Sequence, residues 1–522
     1  MDIIVRNGNN YMFWIVAFVA AFLLFFNLGG IPLLDPDEPV YAETPKGMIA
    51  FQDLVSPRIY GEYWYDKPPL YYWLVAGAFQ LFGVNEFSSR FPSAFLGLLT
   101  VMYVYQVGKR LFNERAGACA ALILATSIEF FYLGKAAVTD ITLNFCLTVA
   151  LLSFLEKRYY LFYIFAGLAT LAKGPVGILF PGAILFLYFL FTRRWQQLTE
   201  MKLPQGILIY AITALPWYVA MYSIHGNPFI ETFIGFHNVT RFTSPEHASG
   251  LLWYYFIPVL ILGFFPWTAV MVQSVWASLR KSGRDFDSLL FLNIWAWFIF
   301  VFFTISKTKL VSYILPMFVP LAMITGWYVA TLIDHQTRSK IRSWPVALVI
   351  IAGLFAVGLI VGSKEMPGLA PGAYTAAGVF SLMAIIAACL LWKNEITAAL
   401  GVQIAGMAVF VVILMTMMFP AVTPVFTSKT IAADVKLHYD GKSPLYVVKF
   451  LRPGLSFYSD LYGIEVESNW GKTLLLNDVV KLEGKAYYVI RQSHYDRLPD
   501  EYKQSLTILA QRADRILLMK GR

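Results

Sequence analysis

Long apolar runs alternate with short polar connections along most of the chain. Runs near or above the ~20 apolar residues that a membrane-spanning helix needs fall at 12–30, 89–108, 116–133, 139–155, 160–172, 175–192, 206–223, 251–276, 288–305, 310–333, 344–362, 371–391 and 396–419. They predict a polytopic α-helical membrane protein with about 13 transmembrane helices. The runs at 139–155 and 160–172 are short, which suits helices buried among others. Two long loops interrupt the pattern, at 31–88 and 224–250, and near Val425 it stops.

Beyond Val425 the apolar runs shorten. KSPLYVVKF, KTLLLNDVV, KAYYVIRQ and DRILLMKG read as strands bounded by Gly, Asp and Lys, and DRLPDEYKQSLTILAQR reads as a helix with Pro499 and acids near its start. The expectation is therefore a membrane domain over 1–424 and a small soluble α/β domain over 425–522. No short-period repeat and no low-complexity tract is present.

Composition agrees. The 522 residues are 58% hydrophobic and 14% charged, against about a quarter charged in soluble chains. The formal net charge of +9 does not indicate nucleic acid, because the cations recur in short loops: Lys109, Arg110 and Arg115; Lys157 and Arg158; Arg193, Arg194 and Lys202; Arg280, Lys281 and Arg284; Arg338, Lys340 and Arg342; Lys393. Basic short loops face the cytoplasm. This puts the N-terminus inside, and both long loops and the C-terminal domain outside. Cys119, Cys146 and Cys389 all lie in apolar segments and give neither a disulfide framework nor ligand spacing. The first apolar run has no clear cleavage pattern and reads as a retained span.

The candidate chemistry sits in the outside segments. Asp35-Pro36-Asp37-Glu38-Pro39 follows the first span, and VYAETPKGMIAF then reads as a short interfacial helix carrying Tyr41 and Glu43. Carboxylates at a low-dielectric edge are costly unless cations or a metal compensate them; a plainer role is an acidic helix start. Asp66-Lys67-Pro68-Pro69 fixes a charge pair where a helix restarts. Lys67 can meet a phosphate as a point charge, or the pair can be a weak surface ion pair. In the second long loop lie His237, Arg241, Glu246 and His247. Arg241 suits bidentate contact with phosphate oxygens, and a loop His with Asp66 offers metal ligands, though no spacing demands one. Lys309 and Tyr313 open a further span from outside, where an interfacial-belt tyrosine is the ordinary alternative. Asp140 caps a short span or faces the same cavity. Lys135, Lys173 and Lys307 read equally well as snorkelling helix-end lysines.

DEPVYAE (Asp37–Glu43), YDKPPLYYW (Tyr65–Trp73), HNVTRF (His237–Phe242) and KLVSYILP (Lys309–Pro316), in that order, resemble the GT-C superfamily of polyprenyl-phosphate-sugar glycosyltransferases, on the branch of the lipid A aminoarabinose transferases and the protein O-mannosyltransferases. The likeness covers the layout of the whole chain. It implies a bacterial inner-membrane enzyme with its active site on the periplasmic side. The enzyme would transfer a sugar, 4-amino-4-deoxy-L-arabinose or a relative, from undecaprenyl phosphate to lipid A or another acceptor with inversion. It implies Asp37, Glu38 and Lys67 as catalytic residues, and Lys67, Arg241 and Tyr313 as contacts of the donor phosphate. Tyr41, Glu43, Asp140 and Lys309 would line the same cavity. A divalent metal would have a place at Asp66, His237 and His247. The family often carries Ala-Arg between Asp-Glu and Tyr, where this chain has Pro39-Val40, and a glutamate at the position of Asp66. The partners implied are the lipid-linked donor, a lipid or protein acceptor, and membrane lipids. A hydroxyl acceptor would make the enzyme mannosyltransferase-like. A transporter would place charges near the membrane midplane between matching halves, and neither shows in the sequence.

Overall fold

The computed structural model describes residues 11–240, 243, 252–335, 343–467 and 474–521. They form two compact units. The first comprises 1–26, 65–71 and 92–414, and the second 27–64, 72–91 and 415–522. The division is therefore not a single cut near Val425: the second unit also takes in most of the loop after the first span.

The first unit is helical. Among the described residues, seven helices are long and apolar enough to cross a membrane, and two bent pairs raise the number to nine. Shorter apolar helices add α1 (Tyr11–Phe25), α7 (Asp140–Leu155), α8 (Tyr159–Lys173) and α9 (Val176–Thr192), together with α3 (Leu70–Phe82), most of which belongs to the second unit. The chain is a multi-pass membrane protein. Two runs read as single spans are broken. The run 116–133 divides into α5 (Glu114–Thr126) and α6 (Ile128–Gly134), bent by 67°. The run 251–276 divides into Phe256–Gly263 and Thr268–Leu279, bent by 105°. Pro266 marks the second break in the sequence, since it lacks a donor and crowds the preceding turn. Ser127 marks the first much less plainly. The Lys309–Pro316 segment also departs from a regular helix: Val311–Met317 is a 3₁₀ turn before the helix Phe318–His335.

Small residues set how closely these helices approach, as is usual within membranes. A Cβ built on Gly326 would lie 2.4 Å from the backbone nitrogen of Ala120 on α5. Gly326→Ala is therefore expected to destabilise the unit by about 1–3 kcal/mol, the usual cost of overpacking. A thermal-unfolding midpoint in detergent equal to that of the unaltered protein would contradict this.

Ion pairs link several of the basic loops to neighbouring helix ends. Arg115 pairs with Asp334, and Arg110 with Glu156. Lys157 lies 3.1 Å from Glu200, and Arg194 lies 2.6 Å from Asp287. Asp140, Lys173 and Lys135 lie at the opposite ends of their helices. Lys135 donates to the carbonyls of Leu23, Leu24 and Phe26 and so satisfies the C-terminus of α1.

In the second unit, α2 (Asp37–Ala50) is followed by a hairpin of β1 (Arg58–Ile59) and β2 (Glu62–Tyr63). Tyr60 and Gly61 turn it, with φ of 57° and 80°, the left-handed geometry that two-residue hairpins favour. The C-terminal segment forms a five-stranded sheet in the order β4-β3-β5-β7-β6. Its strands are β3 (Leu445–Val448), β4 (Ile464–Val466), β5 (Ala486–Arg491), β6 (Leu506–Arg512) and β7 (Arg515–Lys520). β3 pairs in parallel with β4 and β5, and β7 antiparallel with β5 and β6. Val447, Tyr488, Val489 and Leu517 form its core with Ile431 and Val435 of the helix Lys429–His438. Two local expectations fail here. KTLLLNDVV supplies a helix, Leu476–Lys481, which buries both Val479 and Val480. The helix read in DRLPDEYKQSLTILAQR stops at Gln504 and the remainder is β6, because cross-strand pairing with β7 outweighs local helix propensity.

Candidate functional site

In the first unit, Lys67 stands just before α3. Pro68 and Pro69 keep the preceding backbone out of the helical region, so Lys67 is presented ahead of the helix. Its Nζ lies 2.9 Å from Oδ1 of Asp66. Nδ1 of His237 approaches the same oxygen to 2.7 Å. His237 comes from a π-helical stretch, Glu231–Thr240, an uncommon geometry often found at functional sites. Sequence residues 66, 67 and 237 thus meet. No third His, Cys, Asp or Glu joins them among the described residues, and the lysine already occupies the shared oxygen. Asp66 and His237 alone are fewer than the ligands of a resident zinc site; the third residue offered to a metal, His247, is outside the described residues, and no step is assigned to a metal. Arg241, Glu246 and His247 lie outside the described residues.

A second group in the same unit joins Asp140, at the start of α7, to Lys173, at the end of α8, at 2.7 Å. Lys173 also lies 5.1 Å from the ring centre of Tyr313. The sequence singled out Asp140 and Tyr313 but left Lys173 open between a snorkelling helix end and a functional cation; nothing in the spacing tied it to Asp140. Lys309 is buried and donates to the Ser306 carbonyl. Burial and the neighbouring Lys307 push its ammonium pKa below the usual lysine value, which favours loss of its proton or capture of an anion.

In the second unit, Asp37 is exposed at the first position of α2. Glu38 is buried and its carboxylate engaged: Nε of Arg90 donates to Oε1 at 2.8 Å, and Nη2 donates to Oε2 at 2.6 Å. The Leu34 amide donates to Oε2 as well. Arg90 also donates to the carbonyls of Leu28, Ile31 and Pro32. This geometry makes Glu38 a clamp on the loop before α2, in contrast to the catalytic role expected beside Asp37. Tyr41 packs on Tyr72, with ring centres 6.3 Å apart. Glu43 is buried and accepts a 2.7 Å hydrogen bond from the Ser456 hydroxyl. Asp35 accepts from the Ser428 hydroxyl at 2.6 Å and from Arg515 at 3.1 Å, with the side chains of Asp35 and Arg515 wholly buried. Sequence reading missed Arg90 and Arg515, since each pairs with a residue far away in the chain.

Burial pushes the carboxyl pKa of both Asp35 and Glu43 up to about 7. For an acid raised on folding, the folded state holds more protons than the unfolded state between the ordinary carboxylate range and pH 7. Stability from these groups therefore falls as pH rises through that window and is level above it. Glu43→Gln is expected to raise the melting temperature at pH 8 and to flatten its decline between pH 5 and 7. An unchanged slope in a fluorimetric melting series across that range would refute this.

Residues 66–219 match the family model described as dolichyl-phosphate-mannose-protein mannosyltransferase. The chain is 28% identical over 65% of its length to the undecaprenyl phosphate-alpha-4-amino-4-deoxy-L-arabinose arabinosyl transferase of Edwardsiella ictaluri. It is 29% identical over 62% of its length to the corresponding transferase of Aeromonas hydrophila. The matches span 64% and 61% of those relatives, under two thirds of each. In fold, the chain is similar to the crystal structure of ArnT from Cupriavidus metallidurans bound to undecaprenyl phosphate, with a TM-score of 0.84, 23% identity and 98% of both chains covered.

Proposed function

We propose that this chain, which belongs to the GT-C superfamily of glycosyltransferases, transfers a sugar from undecaprenyl phosphate to an acceptor at the outer face of the bacterial inner membrane. The sugar is 4-amino-4-deoxy-L-arabinose or a close relative, and lipid A is the favoured acceptor. The observation that carries the reading is the whole-length likeness of fold to a protein crystallised with undecaprenyl phosphate. The identity to named arabinosyl transferases supports it.

In this reading the acceptor oxygen attacks the anomeric carbon as the bond from that carbon to the phosphate oxygen breaks. The phosphate takes the electron pair and leaves as undecaprenyl phosphate. Cations and hydroxyls aimed at its oxygens lower the barrier; Lys67, Lys173, Tyr313 and Arg241 are the residues for this. Asp66 and His237 position the Lys67 ammonium. With a hydroxyl acceptor, Asp37 takes the proton. With a phosphate acceptor, already an anion, Asp37 orients the sugar. Glu38 holds the loop that carries Asp37.

The test is to supply purified full-length protein with an undecaprenyl-phosphate sugar and an acceptor, and to follow both products by mass spectrometry. Release of undecaprenyl phosphate with a modified acceptor is expected. Movement of intact lipid-linked sugar across a bilayer, with no release, would replace this reading with a transporter.

A further inference from the structure

In the C-terminal sheet, β4 and β5 lie on opposite sides of β3 and parallel to it. The chain leaves β3 through the helix Arg452–Ser459 to reach β4, then returns past β3 to β5. A parallel sheet wound both ways binds its ligand in the crevice outside the carboxyl ends of the strands, where the order reverses. In this protein that crevice holds a carboxylate of the chain itself. Oδ1 of Asp35 lies against Gly454, in the helix after β3: a Cβ built there would be 2.2 Å from it. Oδ2 accepts from the Ser428 hydroxyl and from Arg515, and Arg515 begins β7 opposite Arg491 at the end of β5.

The same short helix grips the segment around Asp37 at three further points. The Leu33 amide donates to the Tyr458 hydroxyl at 2.8 Å. The Ser456 hydroxyl donates to Glu43 at 2.7 Å, and Lys46 donates to the Phe457 carbonyl at 2.8 Å. Leu33 and Asp35 precede Asp37 in the chain, and Glu43 and Lys46 follow it on α2. Asp37 itself, between the held positions, is exposed. All of these residues belong to the second unit. Misplacing a reacting group by about 1 Å can cost about a hundredfold in rate, so a grip of this kind governs chemistry without touching substrate.

We propose that the helix Arg452–Ser459 positions Asp37 for sugar transfer, with Gly454 and Tyr458 as positioning residues, and that the C-terminal domain spends its ligand crevice on this task. The inference rests on the role given to Asp37 above and gives the C-terminal domain a part in the reaction.

The test follows transfer from undecaprenyl-phosphate 4-amino-4-deoxyarabinose to lipid A by the purified full-length protein. Gly454→Ala drives a methyl group into Asp35, and Tyr458→Phe removes a single hydroxyl. kcat is expected to fall about tenfold in the first and about three- to fivefold in the second. The donor KM should stay within about twofold, because Lys67, Lys173 and Tyr313, the residues assigned to the phosphate, belong to the first unit. In an Asp37→Asn background either change should cost nothing further. A positioning residue works only through the group it positions, whereas a general loss of structure would multiply the two defects. Tyr458→Phe keeps the test decisive if Gly454→Ala does not fold. The proposal is overturned if Tyr458→Phe keeps full kcat, if the losses recur in full on top of Asp37→Asn, or if the donor KM rises with kcat unchanged. Any of these beside a slow Asp37→Asn enzyme leaves the proposed function standing. An Asp37→Asn enzyme at full speed removes Asp37 from that function and overturns this inference with it.

Discussion

Lys67→Ala is expected to lower sugar transfer by about a hundredfold or more, the usual loss when one donor to a developing anion is removed. The charge leaving the anomeric carbon accumulates on phosphate oxygens, and an ammonium there stabilises the transition state more than the bound lipid. Lys67 is also the residue most firmly set for this task. Two prolines follow it, and Asp66 lies 2.9 Å away, itself met by His237. Because the interaction strengthens as the bond breaks, the loss should fall mainly on kcat, with a smaller change in KM. Lys67→Arg keeps the charge but not the compact geometry, and should retain part of the activity. Steady-state kinetics on purified variants decide the matter; a Lys67→Ala enzyme with unaltered kcat would remove Lys67 from the mechanism.

Arg90→Ala should be the most damaging substitution in the second unit. It would leave Glu38 buried without its cation, and the carbonyls of Leu28, Ile31 and Pro32 without their donor. Removing one member of a buried ion pair costs about 3–5 kcal/mol, a large part of the roughly 5–15 kcal/mol that holds a typical domain folded. Expression and melting temperature should both drop sharply. Arg90→Lys should rescue little, since an ammonium cannot reproduce the planar fork. Glu38→Gln added to Arg90→Ala should cost less than the sum of the two single changes, because they remove one interaction. A melting temperature for Arg90→Ala within a degree or two of the unaltered protein would contradict the clamp, since about 1 kcal/mol already moves a domain of this size by several degrees.

The membrane class was legible because apolar run length is set by bilayer thickness. The two bends were not, since a helix broken at Ser127 has nearly the composition of one that continues. In the C-terminal domain, LYVV and RILLMK announced themselves as strands, while TILAQR became one only through β7. The sequence offered Asp66 as a metal ligand with a loop histidine, His237 or His247, and the structure sets His237 beside it. The partners of Glu38, Asp35 and Asp140 were not, since Arg90, Arg515 and Lys173 carry no local signal: an arginine's partner is fixed by tertiary distance, which a linear reading does not contain.

The Asp35–Arg515 contact joins residues separated by 480 positions. A ribosome makes the acid long before its cation. Until β7 is made, the segment after the first span therefore carries an acid that lacks its arginine partner. A chain ended by a stop codon at 515 would carry the apolar helices described above, yet lack this contact. Proofreading by membrane proteases would then fall on the early loop and not on the missing end.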